Sequence, residues 1–146
     1  MLRGNYAAKI DDKARLKIPN AFRALVEQAH GSELFVTSLT GESVRIYPMP
    51  IWLALEERMA RAPSTHPARN KFLDRVNYYG QTAEIDSQGR VVIHQRLRDS
   101  AGMSGEVDVL GAVDRLDVWN HDRLVAKMLS DPYTDDDAKA LSEFGI

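Results

Sequence analysis

At 146 residues and a net charge of −2, the chain has the size and charge of one compact soluble domain or two small fused units. It contains no cysteine, which excludes a disulfide frame, a zinc ribbon and a thiolate nucleophile. No run of about 18 apolar residues is present, and the opening MLRGNYAAKIDDK lacks the apolar core of a leader, so a cytoplasmic protein without membrane contact is expected.

The charge is polarised along the chain. Residues 1–23 hold six basic and two acidic side chains, a net of +4, whereas residues 131–146 hold one basic and five acidic, a net of −4. Within the basic head, Tyr6, Ala8 and Ile10 alternate with polar or small residues, as do Leu16 and Ile18, which predicts a hairpin of strand, turn and strand. Asp11 opens the turn, where its carboxylate can accept backbone N–H groups further along. Alternation places Arg15 and Lys17 on one face while Leu16 and Ile18 point to the core. Further strands are predicted at Leu34–Thr37 and Val44–Tyr47, with Gly41 marking a turn between them. Two helices follow: Trp52, Leu55 and Met59 recur at helical spacing after Pro50, and Phe72, Val76 and Tyr79 after Pro67, with Ser64 or Thr65 as the expected cap.

Then the pattern repeats. Ile85–His94 (IDSQGRVVIH) echoes Ile10–Pro19 (IDDKARLKIP) at a constant offset, so that Asp11 matches Asp86, Arg15 matches Arg90 and Ile18 matches Ile93. The match runs on through Phe22 and Leu97, then Arg23 and Arg98. Strands at Val107–Leu110 and Leu116–Trp119 correspond to those at 34–37 and 44–47, and Asn120 can cap a last helix carrying Leu124 and Met128. Two motif copies embedded in matching flanks point to duplication. Gly89 suits a turn with positive φ, whereas Ala14 in the first copy would be strained by about 1 kcal/mol there. Neither copy is large enough for a secure core alone, so the halves should interlock. The expected organisation is a repeat over 5–50, a helical connector over 51–80, a second repeat over 81–124, and a helix with an acidic tail of doubtful order over 125–146.

The residues that can carry chemistry are mostly basic. Lys13, Arg15 and Lys17, with Arg3 and Lys9, form a set suited to phosphates, and arginine can also bind guanine edges in bidentate fashion. The plainer reading is that Arg15 only pairs with Asp11 or Asp12 and that the lysines are solvated. His30, His66, His94 and His121 are too scattered for a metal site, and Asp135-Asp136-Asp137 lacks the glycine and distal glutamate of a calcium loop. No nucleophile elbow or phosphate-binding glycine loop occurs, so neither an enzyme nor a bound cofactor or small-molecule substrate is expected. Trp52, Met59, Phe72, Tyr78, Tyr79 and Trp119 read as core, with Tyr78 and Tyr79 open to a subunit contact instead.

Leu2-Arg3-Gly4, DDKARLKIP, RIYPMPIW, DSQGRVVIH and VLGAVDRLDVWN together resemble the MraZ proteins of bacteria, in order, over residues 1 to about 130. The resemblance implies an α+β, mainly β fold: two tandem SpoVT-AbrB-type halves forming one pseudo-twofold double-split β-barrel with helices between and after them. It implies a nucleoid-associated transcriptional regulator that binds direct repeats in double-stranded DNA upstream of the division and cell-wall gene cluster, usually repressing it, and that assembles into a ring of identical subunits. The family's DNA-contacting aspartate–arginine motif falls on Asp11 and Arg15, and again on Asp86 and Arg90. Ala14 replaces the usual glycine and His94 the usual proline. Because Arg90 is the only basic residue between Asp86 and Ile93, unequal halves are expected, the first reading DNA and Arg90 mainly structural or at a subunit contact. The alternative is an antitoxin-like protein-interaction module acting through the acidic tail.

Overall fold

One β-β-α-β-β-α unit is traced twice. In the computed structural model, which describes residues 1–146, the first pass is β1 (Asn5–Lys9), β2 (Arg15–Lys17), α1 (Asn20–His30), β3 (Glu33–Thr37), β4 (Val44–Pro48) and α2 (Met49–Arg61). After the connecting helix α3 (Pro67–Tyr79), the second is β5 (Gln81–Glu84), β6 (Arg90–Val92), α4 (Gln95–Ala101), β7 (Glu106–Ala112), β8 (Arg115–Asn120) and α5 (His121–Ser130). A short α6 (Asp135–Ser142) ends the chain.

The two passes interlock through exchanged strands. Six strands form an antiparallel sheet in the order β1-β7-β8-β4-β3-β5, so each pass lends its first strand to one edge of the sheet, β1 beside β7 and β5 beside β3. The centre of the order, where β4 meets β8, is the pseudo-twofold position. The remaining strands, β2 and β6, pair only with each other as a separate antiparallel ribbon, Leu16 opposite Val91.

The expected hairpins are therefore corrected. Bridging between β1 and β2 is confined to Ile10 and Leu16, after which the strands diverge into different sheets. Turn chemistry is local, but the strand that pairs with β2 comes from the other copy. Strand pairing likewise gives an open sheet and a ribbon, an α+β fold with a mainly β core.

That core lies between sheet and ribbon. Leu16, Ile18, Val91 and Ile93 from the ribbon segments meet Leu34, Val36, Val44, Ile46, Val107 and Val118 from the sheet, all at most 1% exposed. Helices α1 and α4 close it with Phe22 and Val26, and with Leu97 and Ala101. The i, i+4 spacing of both pairs is a helix signal that the strand motifs beside them overshadow.

A second cluster packs α2 and α3 on the opposite face of the sheet, where alternation turns Phe35 and Tyr47 outward. Trp52 stacks on Phe35 with ring centroids 4.4 Å apart, and Val76 completes the contact. The cap of α3 is His66, whose Nδ1 accepts from the Ala68 N–H, and not Ser64 or Thr65. Asn120 caps α5 as expected. Gly111 lies inside β7, just before the turn to β8, where a Cβ would meet the backbone of Arg3 at 2.3 Å, so glycine is required by close approach. No helix is long and apolar enough to cross a membrane.

Candidate nucleic-acid interface

The two motif turns have one geometry. In the first, Asp11 Oδ1 accepts from the N–H groups of Lys13 and Arg15, both at 2.9 Å, while Asp11 and Arg15 exchange a backbone bond. In the second, Asp86 Oδ1 accepts from Gln88 at 2.8 Å and Arg90 at 2.9 Å, with the same backbone pattern. Both turns need a left-handed residue at the same place, Gly89 at φ 79° and Ala14 at φ 65°. Thus Ala14 adopts the strained conformation instead of altering the turn.

The ribbon brings these turns together. Ile18 N–H donates to the Gly89 carbonyl and Ile93 N–H to that of Ala14, so each motif is stapled to the other copy's left-handed residue. Lys17 Nζ donates to the Gln88 carbonyl, and Arg23 reaches the Ser87 carbonyl at 3.3 Å while its Nε pairs with Glu27. Arg23 was absent from the sequence candidates, although its match to Arg98 was visible in the echo.

Asp11, Arg15, Asp86 and Arg90 form one cluster of charges across the pseudo-twofold axis. Arg15 Nε donates to Asp11 Oδ2 at 2.9 Å, the plain ion pair anticipated from the sequence, while its terminal nitrogens hold no intramolecular hydrogen bond. Arg90 faces both carboxylates, its Nε 3.6 Å from Asp86 Oδ2 and its Nη1 3.8 Å from Asp11 Oδ2. Its Nε is buried without a hydrogen bond. Donation from the Arg15 and Arg90 backbone amides, reinforced by the guanidinium charges, holds Asp11 and Asp86 below the usual carboxylate range.

The outward faces of the copies differ. Leu16 and Val91 are buried, so the ribbon's opposite face presents Arg15 across from Val92 and Lys17 across from Arg90. Lys13 lies exposed in the turn, and Lys9 at the end of β1 beside it. At the offset that maps Asp11 onto Asp86, the partners of Lys9, Lys13 and Lys17 are Glu84, Gln88 and Val92. Three lysines of the first copy thus correspond to a carboxylate, an amide and an isopropyl group in the second. Arg3 stands apart: it lies beyond the far end of β1, beside the Leu2–Val113 bridge, and is not grouped with the turn.

Other candidates take structural places. Asp137 closes a capping box with Thr134 at the start of α6, giving the acidic segment a regular helix where order was doubtful. His94 takes the N-cap position of α4 and bonds the Tyr79 carbonyl. His121 pairs with the nearly buried Asp108 at 2.8 Å, and Asn5 donates to the other Asp108 oxygen, a tie between β1 and α5 that no sequence motif announced. Of the aromatic residues, Trp52 is core, whereas Tyr78 is 56% exposed beneath the guanidinium of Arg96.

A family model described as "MraZ protein, putative antitoxin-like" matches residues 1–75 and 80–143. The chain belongs to the MraZ family. Curated MraZ relatives match over the full length of both chains: a protein of Acidobacterium capsulatum is 44% identical over 146 residues, and one of Koribacter versatilis 44% over 147. A protein of Chromobacterium violaceum is 32% identical over 120 residues, covering 82% of this chain and 81% of its own. Each is named transcriptional regulator MraZ.

Proposed function

We propose that this chain is a transcription regulator that binds double-stranded DNA through the outward face of the β2–β6 ribbon and its first turn. The observation that carries the reading is the set of exposed lysines Lys9, Lys13 and Lys17 around the half-buried Arg15, held at the paired ribbon and matched by no equivalent lysines in the second copy. Lysines there neutralise phosphates, and Arg15, held by Asp11 through Nε alone, keeps two nitrogens for the acceptor edge of a guanine. Arg90, by contrast, balances Asp11 and Asp86 and acts as a structural counter-ion.

The inequality of the halves bears on the operator. A symmetric reader fits a palindrome, because each half-site meets the same side chains. A pseudo-twofold protein with basic groups on one turn only has a direction, which suits direct repeats, one repeat per subunit. The sheet and its covering ribbon correspond, in this reading, to the family's double-split barrel. Several subunits joined in a ring would engage successive repeats, and such linkage raises affinity by factors of about 10² to 10⁴ over a single site. Occupied repeats upstream of the chain's own division and cell-wall cluster would block transcription, making the protein a repressor acting at the nucleoid.

Fluorescence anisotropy on a promoter fragment with tandem repeats, the same repeats inverted, and a scrambled control tests this reading. Tight binding to the tandem fragment alone, falling steeply with salt, is expected. Equal binding to all three would remove the directional reading, and no binding to any would remove DNA as the partner.

A further inference from the structure

The fold builds one kind of cleft twice. Strand β4 leads into α2 as β8 leads into α5, at a constant offset that matches Tyr47 with Trp119, Leu55 with Lys127 and Glu42 with Asp114. Each cleft is walled by the aromatic ring of its strand, by the helix that follows, and by the acidic residue that the other copy contributes, Asp114 for the first and Glu42 for the second. The charges in them differ. In the second cleft the helix cation is matched within the chain, Lys127 Nζ lying 3.6 Å from Glu42 and 5.3 Å from the centre of the Trp119 ring. In the first, the same helix position holds the apolar Leu55.

Three arginines line the first cleft instead, around a volume of about 220 Å³. Arg45 and Tyr47 share one face of β4, and the β4–β8 register continues so that Arg115 lies beside Tyr47, its guanidinium 5.8 Å from the ring centre. Arg58 joins them from α2. None of the three has a basic counterpart: the residues matching Arg45, Arg58 and Arg115 are Asp117, Ser130 and Ser43. Their donors are lightly used. Arg115 Nε donates to Asp117 at 2.9 Å and Arg45 Nη1 to Tyr47 Oη at 3.3 Å, while the guanidinium of Arg58 holds no hydrogen bond within the chain. Asp114 is the one carboxylate on the wall, and the half-buried Ile51, Leu55 and Phe72 form its apolar side.

We propose that this cleft binds a small organic phosphate, its phosphoryl oxygens held by Arg45, Arg58 and Arg115 and its organic part laid against Ile51, Leu55 and Phe72. Guanidinium forks meet phosphate oxygens in pairs, and a phosphoryl group offers more acceptor oxygens than a carboxylate, so it can satisfy three forks together. Tyr47 Oη, having accepted from Arg45, keeps its own proton as a further donor. The volume is below the roughly 300 Å³ at which drug-sized sites begin, which limits the organic part to a small group. Because the cleft lies on the face of the sheet that carries Tyr47 and α2, away from the ribbon, the proposal does not rest on DNA binding.

Isothermal titration calorimetry on the full chain tests the site with phenyl phosphate, inorganic phosphate and benzoate as probes. The proteins are wild type, Arg58→Ala, Arg45→Gln and Arg61→Ala, with circular dichroism verifying each fold. Arg58 and Arg61 are both exposed on α2 but only Arg58 lines the cleft, so Arg61→Ala controls for general charge. Wild type should bind phenyl phosphate at least about tenfold more tightly than either other probe. Arg58→Ala and Arg45→Gln should each weaken that binding by about tenfold or more, the scale of a lost charged hydrogen bond, while Arg61→Ala stays within about twofold. No heat with phenyl phosphate, or equal losses in all three variants, overturns the site. Benzoate bound as tightly overturns the preference for phosphate, and inorganic phosphate bound as tightly overturns the role of the apolar wall. Displacement of phenyl phosphate by a short duplex lacking the repeats would make nucleic acid the occupant and overturn the small-molecule assignment.

Discussion

Asp11 and Asp86 each organise a turn by accepting two backbone N–H groups, and that role sets an acid dependence. Both carboxyls lie below their ordinary value of 3.8 when folded, so the stabilisation is complete above that value and is lost as pH falls through the lower folded one. Thermal melts should therefore show a falling midpoint below about pH 4, and Asp11→Asn should flatten this fall while lowering stability near neutrality. His121 has the opposite sign. Its hydrogen bond to Asp108 raises its pKa above 6.5, so the contribution is full below that value and disappears as pH rises through the raised one. Replacing His121 with Gln should remove that alkaline decline. Ala14 gives a third expectation: at φ 65° it stores strain that glycine lacks, so Ala14→Gly should stabilise the fold by about 1 kcal/mol, and Gly89→Ala should destabilise it by a similar amount. Urea unfolding of the two variants measures both.

Among the elements, the ribbon supports the candidate interface and the core together. Leu16 is fully buried against the facing strand, so Leu16→Ala should cost about 2–5 kcal/mol in chemical unfolding and weaken DNA binding through loss of the ribbon. Much of this architecture was legible in the sequence, because the same aspartate-to-arginine spacing and the same alternation occur twice, and the strands at 33–37, 44–48, 106–112 and 115–120 follow directly from their β-branched alternation. Strand partnership was not. A strand's apolar alternation says which face is buried but not which neighbour supplies the hydrogen bonds, so β2 reads as the second arm of a local hairpin when it pairs with β6. Helices α1 and α4 were hidden for another reason: each begins directly behind a strand motif whose repeated pattern extends into it. Arg3 was grouped with the motif by its proximity in sequence, although β1 separates it from the turn.

For the whole molecule, a pseudo-twofold backbone with unequal surfaces is the organising fact. The backbone keeps its pseudo-twofold order, while the lysines of one copy have no counterparts in the other. If the charged copy reads DNA and the other completes the fold, salt dependence and mutation should divide accordingly. Arg90→Ala should lower thermal stability more than affinity per folded molecule, since it leaves Asp11 and Asp86 without their shared counter-ion. Lys13→Ala and Lys17→Ala should each reduce the slope of log affinity against log salt by about one. The most direct measurement is fluorescence anisotropy of wild type and Arg15→Ala on the tandem-repeat promoter fragment, with circular dichroism verifying that both are folded. Affinity for the variant should fall at least tenfold, the scale of a lost bidentate base contact; equal binding by the two proteins would contradict the role assigned to the first turn.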